Sequence, residues 1–216
     1  MSTILFIKSS PLPEPHSRST RVARAFLEEC KRRYPEDNIV ELDLYDMKIP
    51  LIDAALLNAW GQLRSGTSFD KLDRQLQDKL GKFDALTQQF IDADKYVIAS
   101  PLWNLGVPPM LKAYFDTVAV AGKTFHYTEH GAEGLLNNKL GIHFHGTGGV
   151  YSDGVQMAYA DPFIKGLLTF LGVKVLPTIY VEGIDSAPHM EDEIINKATS
   201  EAIEAASHFN FDKFSS

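Results

Sequence analysis

The chain has 216 residues, 44% of them hydrophobic and 23% charged, with a net charge of −7 and a pI near 5.5. Those values describe a soluble globular protein of one domain over residues 1–216. They exclude a nucleic-acid backbone as the main partner, which calls for a basic surplus. The single cysteine, Cys30, rules out an intrachain disulfide framework, and no apolar run approaches the roughly 18 residues of a membrane span. With an N-terminus, MSTILFIKSS, that lacks the form of a secretory signal, a cytoplasmic protein is expected.

The segment TILFIK (3–8) is short, apolar and rich in β-formers, as a strand buried on both faces should be. A proline-rich polar loop follows, SSPLPEPHSRS, and then a helix from about Ser19 to Tyr34 with Val22, Phe26 and Cys30 spaced along one face. Its end carries Lys31-Arg32-Arg33, where cations suit the helix dipole, and Cys30 reads as a half-buried helical thiol, not a nucleophile. NIVELDL (38–44) alternates as a second strand. Residues 50–82 are polar and helical in pieces, broken at RSGTS, and form an insertion too poor in apolar residues for a core of their own. FDALTQQFIDAD is a helix leading into the strand KYVIAS (95–100).

Pro108 and Pro109 stand where proline is tolerated, at the start of a helix that runs to about Val118. Residues 121–138 are a glycine-rich excursion carrying aromatics. KLGIHFHG (139–146) is the fourth strand, a helix lies within 154–172, KVLPTIYVEG (174–183) is the fifth strand, and a last helix covers about 188–208 before a frayed or docked tail, FNFDKFSS. Strands alternate with helices throughout. This is an α/β chain with a parallel sheet covered on both faces.

In such sheets ligands bind beyond the carboxyl ends of the strands, where the strand order reverses. Three loops there have unusual content. The loop Ser9–Thr20 offers hydroxyls, backbone N–H groups and a helix N-terminus, with Arg18 as a cation, which suits a phosphate. No G-x-G-x-x-G follows the first strand and no glycine-rich Lys-Ser/Thr loop is present, so a serine-lined mononucleotide phosphate site fits better than a dinucleotide or triphosphate site. The bend SPLWNLG supplies Leu102 and Trp103 as an apolar wall and Asn104 as a two-way hydrogen-bonding amide. In HGTGGVYSDG, Gly146, Gly148 and Gly149 let backbone N–H groups approach a ligand closely. Together the three loops call for a flat ring with a phosphate tail. His143 and His145 share a face of the fourth strand and have metal-ligand spacing, but no accompanying motif favours a metal; His145, near the strand end, is placed to touch a ring.

Three longer motifs then carry a resemblance. They are Pro101-Leu102-Trp103-Asn104-Leu105, Leu111-Lys112-Ala113-Tyr114-Phe115-Asp116, and Ala121-Gly122-Lys123-Thr124-Phe125-His126-Tyr127-Thr128. With HGTGGVYSDG, the sequence resembles the bacterial FMN-dependent NADH:azoreductase and quinone reductase family over nearly its whole length. The resemblance implies a flavodoxin-like three-layer sandwich, a five-stranded parallel sheet of order 2-1-3-4-5 with helices on both faces. It implies that Ser10, Ser17, Arg18 and Ser19 hold the FMN phosphate, that Pro101 to Leu105 line the isoalloxazine, and that Gly146, Thr147, Gly148 and Gly149 face its pyrimidine edge. The departures are Leu102-Trp103 for the family's Met-Tyr, Gly146-Thr147 for its Ser-Arg, and three prolines before Ser17.

The implied activity is two-electron reduction of quinones and cleavage of azo compounds with NADH or NADPH, by ping-pong kinetics, in a homodimer whose partner roofs each site. Phe125, Tyr127 and apolar residues near Phe170 are the candidates for that roof, with a contribution from LLNAWGQLRSGTSF. Two other readings compete. One is a flavodoxin-type electron carrier, which is expected to be smaller and more strongly acidic. The other is a hydrolase using Ser10 or Ser17, for which no G-x-S-x-G elbow exists.

Overall fold

A computed structural model describes residues 1–154 and 157–210. The chain-order elements of its first half are β1 (Thr3–Lys8), α1 (Arg18–Arg33), β2 (Asn38–Asp43), α2 (Ala54–Arg64), α3 (Arg74–Asp92), β3 (Lys95–Pro101) and α4 (Pro109–Val118). The second half contributes β4 (Phe125–Thr128), β5 (Gly131–Gly134), β6 (Leu140–Gly146), α5 (Ala160–Phe170), β7 (Lys174–Val175), β8 (Ile179–Val181) and α6 (Glu191–Ala206). The main sheet is parallel in the order β2-β1-β3-β6-β7, with β8 also paired to β6.

Alternation along the strands divides the interior into two layers. Ile4 and Phe6 of β1 join Val22, Phe26 and Cys30 of α1 and Ala198 and Ala202 of α6 on one face. Leu5 and Ile7 join Phe90 of α3, Leu111 and Phe115 of α4 and Ile164 of α5 on the other. Cys30 is fully buried, not half-buried, and burial pushes its thiol up to about 12, so it is inert packing. Phe209 is buried edge-on to Phe26 at 5.1 Å, which docks the start of the tail. The rest of that tail, 211–216, lies outside the described residues.

Three sequence expectations need correction. The fifth strand is two short ones, β7 and β8, because Pro177 between them has no N–H to give β6. The aromatic excursion is a hairpin: β4 and β5 pair antiparallel from Phe125↔Gly134 to Thr128↔Gly131. It lies so close to the end of α5 that a Cβ on Gly134 would meet the Leu171 and Gly172 backbone at 2.2 Å. Lastly, the separate helix FDALTQQFIDAD is the second half of α3, which starts at Arg74 behind an Asp73 cap whose carboxylate accepts from the Gln75 N–H. The helical pieces before it do bury a small cluster, Leu56, Ala59, Leu72, Leu80 and Phe83, with Trp60 edge-on to Phe83 at 5.2 Å.

Candidate cofactor site

The strand order reverses between β1 and β3, so the loops that leave their carboxyl ends diverge and open a cleft. That cleft holds about 400 Å³. The loops are tied together at their roots. Ser9 donates to Ala99 O through both its N–H (3.0 Å) and its Oγ (2.9 Å), and Leu102 N–H donates to Gly146 O at 2.8 Å.

One corner of the cleft is made of hydroxyls. Ser10, Ser17, Arg18 and Ser19 line it together with Leu12 and His16. α1 begins here with no acidic residue in its first turn and no side-chain cap, since Ser17 Oγ turns to Thr20 Oγ1 at 2.7 Å instead. The first-turn amides of Arg18, Ser19 and Thr20 have no partner within the helix, and the positive end of the dipole faces the cleft. This donor set suits an anion.

The opposite wall is the bend after β3. Pro101, Leu102 and Trp103 line the cleft. Asn104 and Leu105 do not; they form the tip of a tight turn in which Trp103 and Gly106 exchange two backbone hydrogen bonds of 3.1 and 2.9 Å. Both tip residues are left-handed, Asn104 at φ 49° and Leu105 at φ 65°. Asparagine tolerates that region; a leucine there costs roughly 1–2 kcal/mol. The turn is held in place by Leu105 O, which accepts from Tyr159 N–H at 2.7 Å. Tyr45, which the sequence reading missed, stands edge-on to Trp103 at 6.1 Å.

Gly146, Thr147 and Gly148 close the cleft, with Gly149 just beyond them. Their loop is laced to the chain after β8. Thr147 N–H donates to Val181 O (2.9 Å), Asp185 N–H to Gly148 O (3.1 Å) and Gly183 N–H to Gly149 O (3.1 Å). The outward carbonyls are therefore occupied, and the amides of Gly148 and Gly149 remain as the loop's donors. Asp185 also lines the cleft, and no sequence motif pointed to it.

The residues expected to roof the partner's site lie away from this chain's own cleft. Phe125, Tyr127 and Phe170 do cluster, with ring centroids 5.5 Å apart for Phe125–Tyr127 and 4.7 Å for Phe125–Phe170. Yet Phe170 ends α5, whose start is tied to the bend through Tyr159 N–H on Leu105 O, and the helix length separates the two ends by about 15 Å. Phe125 is buried, while Tyr127 is 76% and Phe170 39% exposed. Within one chain they cannot cover the ring wall.

Beneath the bend lies an array that sequence spacing did not reveal. Ser100 Oγ is 2.8 Å from His143 Nε2, and His143 Nδ1 is 2.8 Å from Asp161 Oδ1. Asp161 also accepts from Thr178 Oγ1 (2.5 Å) and Tyr180 OH (2.8 Å) and pairs with Lys165 at 3.0 Å. Burial pushes its carboxyl up, but His143, Thr178 and Lys165 outweigh that and hold it well below the usual carboxylate range. An ionised Asp161 fixes the proton of His143 on Nδ1, so Ser100 donates to Nε2. The order of atoms is that of a hydrolase triad, but Ser100 and His143 are wholly buried, so no substrate reaches the hydroxyl. Neither Ser10 nor Ser17 has a histidine partner among the described hydrogen bonds.

His145 is buried as well and does not line the cleft, contrary to expectation. Its ring leans on His143 at 4.8 Å and on Tyr180 at 5.9 Å, and neither of its nitrogens has a side-chain or backbone partner at hydrogen-bond geometry, although the Ser100 backbone runs beside it. Burial, then the neighbouring His143, pushes it down to about 3. Among the described residues no group of three or more His, Cys, Asp or Glu is placed to hold a metal ion.

A doubly wound parallel sheet with a hydroxyl corner, an aromatic bend and a glycine loop around one cleft defines a flavodoxin-like protein. The sequence profile described as "Flavodoxin-like fold" matches residues 2–206. An "FMN-dependent NADH:quinone oxidoreductase 2" from Listeria monocytogenes is 48% identical over 97% of this chain and all of its own length. A Bacillus subtilis protein of the same name is 42% identical over the same shares. The solved structure of an FMN-dependent NADH-azoreductase from Bacillus anthracis in complex with FMN superposes with a TM-score of 0.88, at 30% identity, over 96% of this chain and 99% of that one. The chain belongs to the flavodoxin-like family, in its branch of FMN-dependent NADH:quinone oxidoreductases and azoreductases.

Proposed function

We propose that this protein is an FMN-dependent NADH:quinone oxidoreductase that also reduces azo compounds. The observation that carries the reading is the meeting, at one switch-point cleft, of the bare α1 N-terminus, the Trp103 bend and the glycine loop. Bound FMN supplies two-electron transfer between nicotinamide and acceptor.

The chain's own residues bind, orient and stabilise. Ser10, Ser17 and Ser19 would donate hydroxyls to the phosphate, the first-turn amides of α1 would add theirs, and Arg18 would bring a guanidinium. Charge-assisted bonds of this kind contribute about 1.5–3 kcal/mol each. Leu102 and Trp103 give the ring an apolar wall, and the strained tip at Asn104–Leu105 holds their backbone at a fixed angle. The amides of Gly148 and Gly149 are the glycine loop's free donors and would stabilise negative charge on the bound flavin. No side-chain nucleophile takes part.

Only one wall of the ring is built by this chain. Trp103 (38%), Leu105 (44%) and Tyr159 (55%) are exposed beside the cleft, and Tyr127 and Phe170 are exposed at the far end of α5. A homodimer in which each chain's Phe125–Tyr127–Phe170 cluster roofs the other's cleft covers both patches. Nicotinamide and acceptor then take turns in one slot, so double-reciprocal rate plots are parallel lines.

The test is direct. Protein reconstituted with FMN is yellow, and excess NADH bleaches it within seconds without air, the colour returning when a quinone is added. Protein that takes up no FMN refutes the reading; yellow protein that NADH cannot bleach is an electron carrier instead.

A further inference from the structure

The hydroxyl corner carries a cation and, against it, a carboxylate. Arg18 Nη1 lies 2.8 Å from Asp185 Oδ1, and both residues line the cleft. Asp185 sits in the chain after β8 and is fixed there by more than the ion pair. Its N–H donates to Gly148 O at 3.1 Å, and its side chain rests so closely on Gly148 that a Cβ there would meet Oδ2 at 2.2 Å. The carboxylate is thus seated at the rim of a site otherwise made of donors.

Stability does not explain this placement. The two side chains are 30% and 67% exposed, and an ion pair in such surroundings contributes little to folding. Its effect falls on what enters the cleft. A phosphate monoester is close to a dianion at neutral pH and wants the Arg18 guanidinium that Asp185 already holds.

We infer that Asp185 is an internal competitor for Arg18, holding the guanidinium until a phosphate takes it over, and so sets cofactor affinity below what the donor set alone would give. The inference rests on the cofactor reading above. It is specific to charge: it acts on a phosphorylated flavin and leaves an uncharged one alone. It also makes the site a point of exchange, because releasing the phosphate lets the Arg18–Asp185 pair re-form.

The experiment titrates the flavin-free protein with FMN and with riboflavin, following the loss of flavin fluorescence. The parent, Asp185→Asn, Asp185→Ser, Arg18→Gln and the Arg18→Gln/Asp185→Asn double variant are compared. Both Asp185 variants should bind FMN about three- to tenfold more tightly at low salt, with the gain shrinking as salt rises, and riboflavin affinity should stay within about twofold. In the Arg18→Gln background the gain should fall by at least half. The inference is overturned if the Asp185 variants bind FMN more weakly, if they shift FMN and riboflavin alike, or if the gain is unchanged without Arg18. A parent that binds neither flavin sinks the cofactor reading and this inference together. A parent that binds FMN well over riboflavin, with indifferent Asp185 variants, sinks this inference alone.

Discussion

At the carboxyl edge of the sheet the chain holds serine hydroxyls in two opposite conditions. Ser100 is sealed under the bend and serves a chain of bonds through His143 to an Asp161 that accepts from four side chains. Ser10, Ser17 and Ser19 border an open cleft, where the helix behind them has left its first amides uncapped. The first cluster has residues of catalytic type in catalytic order and no room for a substrate. The second has no catalytic residue and spare hydrogen-bonding capacity. Saturation marks the Ser100–His143–Asp161 array as scaffold, and unspent donors mark the cleft as a site.

Breaking each cluster should therefore give different losses. Asp161→Ala leaves the buried His143 and Thr178 and the half-buried Tyr180 hydroxyl facing one another without their acceptor. It should cost about 3–5 kcal/mol of folding stability by urea unfolding. A loss under about 1 kcal/mol would mean that the array adjusts and is not scaffold.

A pH profile sharpens the same contrast. His145 sits in the scaffold layer without hydrogen-bond partners and is pushed down to about 3 from an ordinary 6.5. Between those values the unfolded chain binds a proton that the folded chain refuses, so stability is full above about pH 6.5 and falls as pH drops toward 3. A depression of that size corresponds to at most about 5 kcal/mol across the window. His145→Leu removes the proton and the unpaired nitrogens together. The variant should match or exceed the parent at pH 7 and lose less stability on acidification; a parallel decline of the two would assign the acid sensitivity to other groups.

In the cleft the loss is of affinity. Ser17→Ala should weaken FMN about tenfold or more and leave riboflavin binding unchanged, as a hydrogen bond to a charged group requires. Equal weakening of both flavins would place Ser17 at the ring and not at the phosphate.

How much of this was legible in the sequence depended on how local the signal was. β1 is an almost continuous apolar run, β3 and β6 are buried along nearly their whole lengths because both faces are covered, and α1 announces itself through Val22, Phe26 and Cys30. The hydroxyl loop and the glycine loop were legible because each is a short stretch of unusual composition. The hairpin β4–β5 was hidden because GAEG has almost no β-forming side chains; it is held by pairing with FHYT and by close approach to the end of α5. Asp185 was hidden because nothing near it in the sequence sets it apart, and only the lacing of residues 181–185 to the glycine loop brings it to Arg18. The Ser100–His143–Asp161 array was hidden because its spacings, 43 and 18 residues, belong to no local motif.

The bend at Trp103–Gly106 is where sequence reasoning came closest and still lost the mechanism. An Asn-Gly pair would have announced a two-residue turn; Asn104-Leu105 did not, yet the chain makes the turn with leucine at φ 65°. The strained residue is 44% exposed, so side-chain burial does not repay the strain. What holds it is the pair of Trp103–Gly106 backbone bonds and the Tyr159 N–H on Leu105 O, all of which a glycine could also make. Leu105→Gly should then relieve the backbone and stabilise the fold by up to about 1 kcal/mol, after the entropy a glycine gives the unfolded chain is subtracted. It should also loosen the wall that Trp103 presents, weakening FMN and riboflavin by similar factors, unlike any change at the hydroxyl corner. A destabilised variant would show that the Leu105 side chain, not its backbone, is what the bend needs.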